Sequence, residues 1–260
     1  MKLILTPMQE ELDLFLRSCT RLGYCAEQDV VGQLPVTRLP ELGVTLARGG
    51  VGKAQFAVHT QHMVDVGGPW DLAICAGAAG GLSDAVAIGD VVVATTTLEH
   101  DYDNKFNLRP LPRFDGAQSA IAGLRRVSSP HPFKVHFGPL ASGDEDIVDP
   151  ERRQMLHQST GALAVAWEGA GGARACAFSQ VPFIEVRGVT DSANRRAPAD
   201  FETNLALAMH NLAALIAAWL DPGQPDGEPQ PLPPSARAVP LRRLARQIAR
   251  FLYRSICQGR

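Results

Sequence analysis

Short apolar segments rich in β-branched residues alternate along this chain with segments whose apolar residues recur at helical spacing. Apolar runs of four to eight residues predict strands, and recurrence at i, i+3, i+4 and i+7 predicts helices. The predicted strands cover residues 2–6, 44–50, 71–81, 89–97, 134–142, 162–169 and 183–191. An early helical face consists of Leu12, Phe15, Leu16 and Cys19. A later one consists of Leu205, Met209, Leu212, Leu215, Ile216 and Trp219.

The predicted helices follow the strands, with starts near Lys53, at Asp149-Pro150, after residue 169 and near Asp200. Strands that alternate with helices predict an α/β fold. We expect a three-layer sandwich in which helices flank a central mixed, largely parallel twisted sheet. A chain of 260 residues with 45% hydrophobic and 20% charged residues suits such a domain, which we assign to residues 1–220.

The end of the chain differs in composition from the rest. Residues 221–240 contain seven prolines and predict a linker. Residues 241–260 predict a basic amphipathic helix, because their apolar residues form one stripe and no acid lies among the arginines. This tail has three candidate partners: the body or a second subunit, a membrane surface, or another protein.

Composition also limits the partners and the compartment. The chain up to Glu228 carries a net charge of −9, which argues against nonspecific nucleic-acid binding. No apolar run reaches about 18 residues, and the start does not resemble a signal peptide. The five scattered cysteines contain no CxxC motif, which argues against zinc and against a disulfide framework. We expect no metal and no cofactor. We expect a cytoplasmic protein, or one peripheral to the inner face of the membrane if the tail attaches there.

The glycine cluster "ARGGVGKA" at 47–54 is similar to a phosphate-binding P-loop at first sight. The P-loop pattern requires a glycine five positions before Gly52 and a hydroxyl residue after the lysine. Ala47 and Ala54 occupy those positions, so a P-loop is excluded. The cluster instead predicts a turn between a strand and a helix.

Charged residues at the carboxyl ends of predicted strands are the candidates for function, because ligands of α/β sheets bind there. They are Glu11, Glu168, Arg187 and Asp191, together with a predicted glycine turn at Gly77–Gly81. Each acid also has a purely structural interpretation, as a helix-terminus residue or a solvated strand end. Arg187 is harder to explain in that way, because a guanidinium inside an apolar strand needs anionic or oxygen partners.

Several motifs together resemble the nucleoside phosphorylase/nucleosidase superfamily, and in particular the methylthioadenosine/S-adenosylhomocysteine nucleosidases. The resemblance spans about residues 1–220 and depends on the order and spacing of the motifs. They are "MKLILTPMQEEL", "GGVGKA", "CAGAAGGLSDAVAIGDVVVA" followed by "HDYD", "SGDEDI", "AVAWEGAG" and "VPFIEVRGVTDSAN".

This resemblance implies cleavage of a purine–ribose N-glycosidic bond through an oxocarbenium-like transition state. Asp191 matches the acid that protonates the purine, and its pKa must be raised by burial or by a carboxylate neighbour. Glu11 matches the general base for water. Arg187 matches the arginine that positions the nucleophile. Glu168 matches the residue that binds the ribose hydroxyls.

The resemblance also implies a set of substrate-binding positions. Phe201 falls where the family stacks an aromatic ring on the base, and Trp167 falls where a methionine packs under the ribose. Gly77, Ala78 and Ile147 fall in the same nucleoside pocket.

This chain departs from the family pattern at three of its motifs. Ala166 replaces a glutamate that organises water, Ala78 replaces a serine, and Asp146 replaces an aromatic residue. These changes place the identity of the substrate, and full activity, in question.

Hydrolysis is preferred to phosphorolysis, because the loop after the first strand reads "PMQEE" and its carboxylates repel phosphate. We therefore expect a nucleosidase that acts on a 5′-substituted adenosine-type nucleoside and releases the free base, and that assembles as a homodimer. The alternatives are a phosphate-dependent phosphorylase, a nucleosidase for an adenosylhopane-type lipid that would use the basic tail at the membrane, and a catalytically weak nucleoside-binding protein.

Overall fold

The alternating pattern gives ten strands and six helices within residues 1–106 and 109–221, which are the residues that the computed structural model describes. The strands are β1 (Lys2–Thr6), β2 (Glu27–Val31), β3 (Leu34–Leu39), β4 (Val44–Arg48), β5 (Leu72–Gly81), β6 (Val91–Glu99), β7 (Arg113–Asp115), β8 (Val135–Ser142), β9 (Ala164–Ala166) and β10 (Phe183–Asp191). The helices are α1 (Gln9–Arg21), α2 (Lys53–Gly67), α3 (Gln118–Arg126), α4 (Pro150–Thr160), α5 (Gly169–Phe178) and α6 (Ala197–Leu220).

The strands form one mixed sheet in the order β10-β6-β8-β9-β5-β1-β4-β3-β2, with β7 beside β6. Strand β5 is the branch point, because it pairs with β1 and β10 in parallel and with β9 in antiparallel orientation. The segment from β10 through β6, β8 and β9 to β5 therefore closes on itself. Strands β1, β4, β3 and β2 extend the sheet from β5 as an open arm.

Two hydrophobic cores lie on opposite faces of the sheet, as the period of two in a strand requires. On β1, Ile4 joins the core formed with α1, α3 and α6, whereas Leu3 and Leu5 join the core formed with α2 and α5. Helices thus cover both faces of the sheet. This arrangement confirms the predicted α/β class and its layers.

Local signals explain where the helices begin and end. Helix α1 ends at Arg21, and Gly23 then takes a positive φ of 100°, which a glycine adopts without steric cost. The side chain of Asp149 caps α4 by accepting a hydrogen bond from the Glu151 N–H, and Pro150 occupies the first turn.

Helix α6 is the core helix of the first face. Its apolar side chains pack against β10 and α1, and Leu205, Met209 and Leu212 are buried. In length and composition it would also suffice to cross a membrane. The burial of its apolar face in the fold accounts for that composition.

The predicted strand at 71–81 is confirmed as β5, whereas the turn predicted at Gly77–Gly81 is wrong, because these residues complete that strand. The sequence analysis also did not predict β2, β3, β7 or α3. The rest of the predicted linker after Asp221, and the predicted helix at 241–260, lie outside the described residues and stay predictions.

Candidate active site

Arg187 lies on β10, a strand buried along its whole length. Ile184 and Val186 belong to the core under α6, whereas Phe183 belongs to the opposite core with Cys75 of β5. Because side chains alternate along a strand, Glu185 and Arg187 point to the same face as Phe183. The fold therefore places two opposite charges side by side in an apolar layer.

The guanidinium of Arg187 is fully buried and is bound on several sides. Its Nε donates to Glu185 Oε1 at 2.8 Å. Its Nη2 donates to Glu168 Oε2 at 3.1 Å and to Cys75 Sγ at 3.2 Å, and its Nη1 lies 3.4 Å from the Ala78 carbonyl oxygen. These contacts supply the anionic partners that a buried guanidinium requires.

Glu168 connects this cluster to the glycine turn before α2. Its Oε2 accepts from Arg187, and its Oε1 accepts from the Gly52 N–H at 3.2 Å. Gly52 has a φ of 82° that directs its N–H towards the carboxylate, a conformation that other residues rarely adopt. The turn at 47–54 thus contacts the site as well as connecting β4 to α2.

Glu11 enters the cluster from the first turn of α1. Its Oε1 accepts from the Ala78 N–H at 2.7 Å, and its Oε2 accepts from the Met8 N–H at 2.8 Å. Burial raises the pKa of Glu11 from 4.5 to about 7, and the charge of nearby Glu168 adds to the rise, although the Ala78 N–H opposes it. A carboxylate with this pKa can accept a proton near neutral pH.

Gly77 makes room for this arrangement. A Cβ at position 77 would lie 2.7 Å from Arg187 Nη1 and 2.8 Å from Glu11 Oε1. The two charged groups can approach β5 closely because this residue has no side chain. Small residues in this strand are therefore a steric requirement of the site.

We expect Gly77→Ala to displace Arg187 or Glu11, to reduce any catalytic activity strongly and to destabilise the fold by about 1–3 kcal/mol, the usual cost of overpacking. Gly81→Ala is the matched control in the same strand, because a Cβ there would make only ordinary contacts of 3.4 Å or more. Thermal unfolding and substrate turnover of both variants test this prediction. Equal melting temperatures and equal turnover of the two variants would contradict it.

Asp191 ends β10 as a separate buried carboxylate. Its Oδ2 accepts from the Thr190 hydroxyl and its Oδ1 from the Ala193 N–H, each at 2.8 Å. Burial raises the pKa of Asp191 above its usual value, and the charge of Asp200 contributes in the same direction. The hydrogen bonds from Ala193 and Thr190 oppose this rise without cancelling it.

The structure brings Glu11, Glu168 and Arg187 together, whereas Asp191 shares no hydrogen bond or ion pair with them in the described part of the chain. Both groups border β5: Arg187 pairs with Gly77, and Asp191 pairs with Gly80. Three residues of strand, about 10 Å, separate the two points on β5. Three of the four charged groups thus meet beside Gly77 of β5, and the fourth, Asp191, lies beside Gly80, nearer the end of that strand.

The predicted pocket residues lie on the surrounding elements. Trp167 is half-buried and its Nε1 donates to the Glu145 carbonyl oxygen at 3.1 Å. Ile147 is buried, and Phe201 packs on the first core from α6. Their predicted roles in binding the ribose and the base stay predictions.

Sequence analysis missed Glu185, which accepts from Arg187 and also from the Thr97 hydroxyl at 2.7 Å. Its position two residues before Arg187, on the same face of an apolar strand, was the available signal. The contact between Gly52 and Glu168, 116 residues apart, has no such signal.

Sequence analysis also missed an ion-pair network beside the α2 terminus. Lys53 binds Glu99 and Asp101, and Arg174 also binds Glu99. Within residues 1–106 and 109–221, no three His, Cys, Asp or Glu side chains are grouped so that they could hold a metal ion.

Comparisons with known proteins agree with this architecture. Residues 2–221 match the phosphorylase superfamily. A 5'-methylthioadenosine/S-adenosylhomocysteine nucleosidase of Shewanella pealeana is 31% identical over 187 residues, which are 68% of this chain and 81% of that protein. The Helicobacter pylori nucleosidase of the same name, solved with butyl-thio-DADMe-Immucillin-A, has a TM-score of 0.75 at 25% identity and covers 85% of this chain and 97% of its own.

Futalosine hydrolase of Helicobacter pylori has the same fold, with a TM-score of 0.75 at 24% identity over 85% of this chain and 97% of its own. The fold and the family match together define the class: the chain belongs to the phosphorylase superfamily. The proteins similar to it within that superfamily include nucleosidases that carry the 5'-methylthioadenosine/S-adenosylhomocysteine name. The family predicted from the sequence motifs is confirmed.

Proposed function

We propose that this protein is a purine-nucleoside N-ribosyl hydrolase that releases the free base from a 5′-substituted adenosine-type nucleoside. The observation that carries the proposal is the buried Glu11 carboxylate, with a pKa of about 7, beside the Arg187–Glu168 pair. A general base poised near neutral pH is what activation of water requires. The nucleosidase names of the similar proteins support the same reaction.

The proposed reaction assigns one task to each of the three acids. Asp191 donates its proton to the purine as the glycosidic bond breaks, and the base leaves as a neutral molecule. Glu168 binds the ribose hydroxyls, and its negative charge favours the cationic sugar. Glu11 takes a proton from water, and the oxygen of that water forms the new bond to C1′.

The hydrogen-bond donors at the site favour water over phosphate as the nucleophile. The Nε and Nη2 of Arg187 already donate to glutamates, and the N–H groups of Ala78 and Gly52 donate to Glu11 and Glu168. A phosphate dianion would have to displace these carboxylates or lie against their charges. Water requires neither change.

We expect base release from 5′-substituted adenosines at the same rate with and without phosphate. The experiment incubates the full-length protein with methylthioadenosine, S-adenosylhomocysteine, adenosine and inosine, and measures free base by chromatography. Release only with phosphate would show a phosphorylase. Nucleoside binding without release would instead favour a weak binding protein, an outcome that Ala78 and Ala166 motivate.

A further inference from the structure

Glu185 is a buried carboxylate that the proposed reaction does not use. It is 1% exposed, and both of its oxygens have partners. Oε1 accepts from Arg187 Nε at 2.8 Å, and Oε2 accepts from the Thr97 hydroxyl at 2.7 Å. Thr97 lies on β6 and Arg187 on β10, so this one side chain joins two strands beneath the site.

The geometry of the guanidinium shows what this contact does. A planar guanidinium held at one nitrogen can still rotate about that hydrogen bond, whereas acceptors at two nitrogens fix its plane. Glu185 holds Nε of Arg187, Glu168 and Cys75 hold Nη2, and the Ala78 carbonyl oxygen lies at Nη1. Glu185 and Glu168 are the two carboxylates among these acceptors, so their charge-assisted bonds at Nε and Nη2 are the strongest constraints on the plane of the guanidinium.

The backbone next to Glu168 is shaped around the same carboxylate. Gly169 follows Glu168 directly and begins α5. A Cβ on Gly169 would overlap the carboxylate of Glu185 well inside van der Waals contact. The backbone beside Glu168 can thus pack against Glu185 only because residue 169 has no side chain.

Stability alone does not account for the buried pair of Glu185 and Arg187. Burying a carboxylate is costly, and replacing both members of a buried ion pair by apolar side chains often stabilises a fold as well as the pair does, or better. Burial raises the pKa of Glu185 above its usual value, which is a sign of that cost. The orientation that Glu185 gives to Arg187 compensates for the cost of burying its carboxylate.

We propose that Glu185 is a positioning residue, which fixes the plane of the Arg187 guanidinium and through it the carboxylate of Glu168 for ribose binding and nucleophile placement. This inference rests on the proposed function for its kinetic consequence. Its structural content, a guanidinium oriented by Glu185, is independent of which reaction the site performs.

Kinetics of two substitutions give the first test. Glu185→Leu removes the acceptor, and we expect kcat to fall about 100-fold, the effect of a misplaced reacting group, with KM changed by less than about threefold. Glu185→Gln keeps an amide oxygen for Nε and should retain most of the activity. Equal kcat values for Glu185→Leu and the unmodified protein would overturn the inference.

Nuclear magnetic resonance of the Arg187 Nε–H gives a second test that does not require turnover. The signal is assigned by its loss in Arg187→Lys. We expect the Nε–H to exchange slowly with water in the unmodified protein and in Glu185→Gln, and about tenfold faster or more in Glu185→Leu. Unchanged exchange in Glu185→Leu would contradict the positioning role even if no nucleoside were cleaved. Absence of base release from the unmodified protein would instead count against the proposed function.

Two further pairs of variants control for general damage. Thr97→Val removes the hydroxyl that binds Glu185, and should reproduce part of the kcat loss, whereas Thr97→Ser should not. Gly169→Ala should lower the melting temperature of the unmodified protein by more than it lowers that of Glu185→Ala, because the clash needs the carboxylate. An equal loss in the two backgrounds would contradict the packing on which the inference depends.

Discussion

Asp191→Asn is expected to lower kcat by about 10²–10⁴-fold, the usual contribution of a general acid, with nucleoside binding changed only a few-fold. An asparagine has the shape of the aspartic acid but no proton to transfer to the leaving purine. Its amide oxygen can still accept from the Ala193 N–H, and the Thr190 hydroxyl can turn towards the Ala79 carbonyl oxygen, 3.3 Å away. The fold should therefore remain intact, and the loss should lie in the chemical step.

Asp200→Asn is the matched control for this prediction. Asp200 is a charged neighbour whose negative charge helps to raise the pKa of Asp191, after the larger effect of burial. Removing that charge should lower the pKa of Asp191 and move the alkaline limb of the rate profile to lower pH, with the limiting kcat below that limb almost unchanged. Single-turnover assays of base release measure the rates of both variants. An Asp191→Asn rate within fivefold of the unmodified protein would exclude Asp191 as the acid.

The sequence predicted the order of the central elements because burial dominates their composition. The predicted strands at 2–6 and 183–191 are β1 and β10 with the same bounds. Strand β2 shows the limit of this approach, since four of its five residues are exposed and only Val31 is buried. Its pairing with β3, and not an apolar pattern, makes it a strand.

The glycines of β5 explain the wrong turn prediction. Gly77, Gly80 and Gly81 suggest a turn when only local conformation is considered. In the fold, Gly77 faces Arg187 and Glu11, and Gly80 faces Asp191 Oδ1, so their small size serves the neighbouring strands. A single sequence does not distinguish glycine chosen for conformation from glycine chosen for space.

The candidate site could be predicted in part because ligands of α/β sheets bind at the carboxyl ends of strands, where charged residues are candidates for function. That rule identified Glu11, Glu168, Arg187 and Asp191 without any structure. It did not identify Glu185, which lies inside β10 and accepts a hydrogen bond from Arg187. The period of two in a strand could have indicated the contact between Glu185 and Arg187, whereas the contact between Glu185 and Thr97 of β6 depends on how the strands are arranged in the sheet.

Glu11→Gln is the second substitution with a large expected effect. Because the amide cannot accept a proton from water, kcat should fall by about 10²–10⁴-fold. The Gln side chain has nearly the same volume and keeps one oxygen for the Ala78 N–H, so nucleoside binding should persist. Calorimetric titration with a nucleoside and single-turnover assays separate these two effects. Loss of binding together with turnover would assign Glu11 a structural role instead.

The pH dependence of the unmodified protein follows from the same group. Glu11 must be ionised to act as a base, so kcat/KM should rise with pH and reach half its limiting value near 7, the pKa that burial gives this carboxyl. Asp191 must be protonated, so the rate should fall again above its own raised pKa. Glu11→Gln should abolish the acid limb, whereas Asp200→Asn should retain it.

Stability should respond to pH in the opposite direction from activity. The pKa of Glu11 is about 7 in the fold and near 4.5 in the unfolded chain, so the unfolded state releases this proton first. The stabilising contribution of the neutral carboxyl is therefore complete below about pH 4.5 and is lost as pH rises through 7. Glu11→Gln has no such group, so its melting temperature relative to the unmodified protein should increase between pH 5 and pH 8. A difference that stays constant or declines over this range would show that Glu11 ionises in the fold as it does in water, and the proposed base would lose its physical basis.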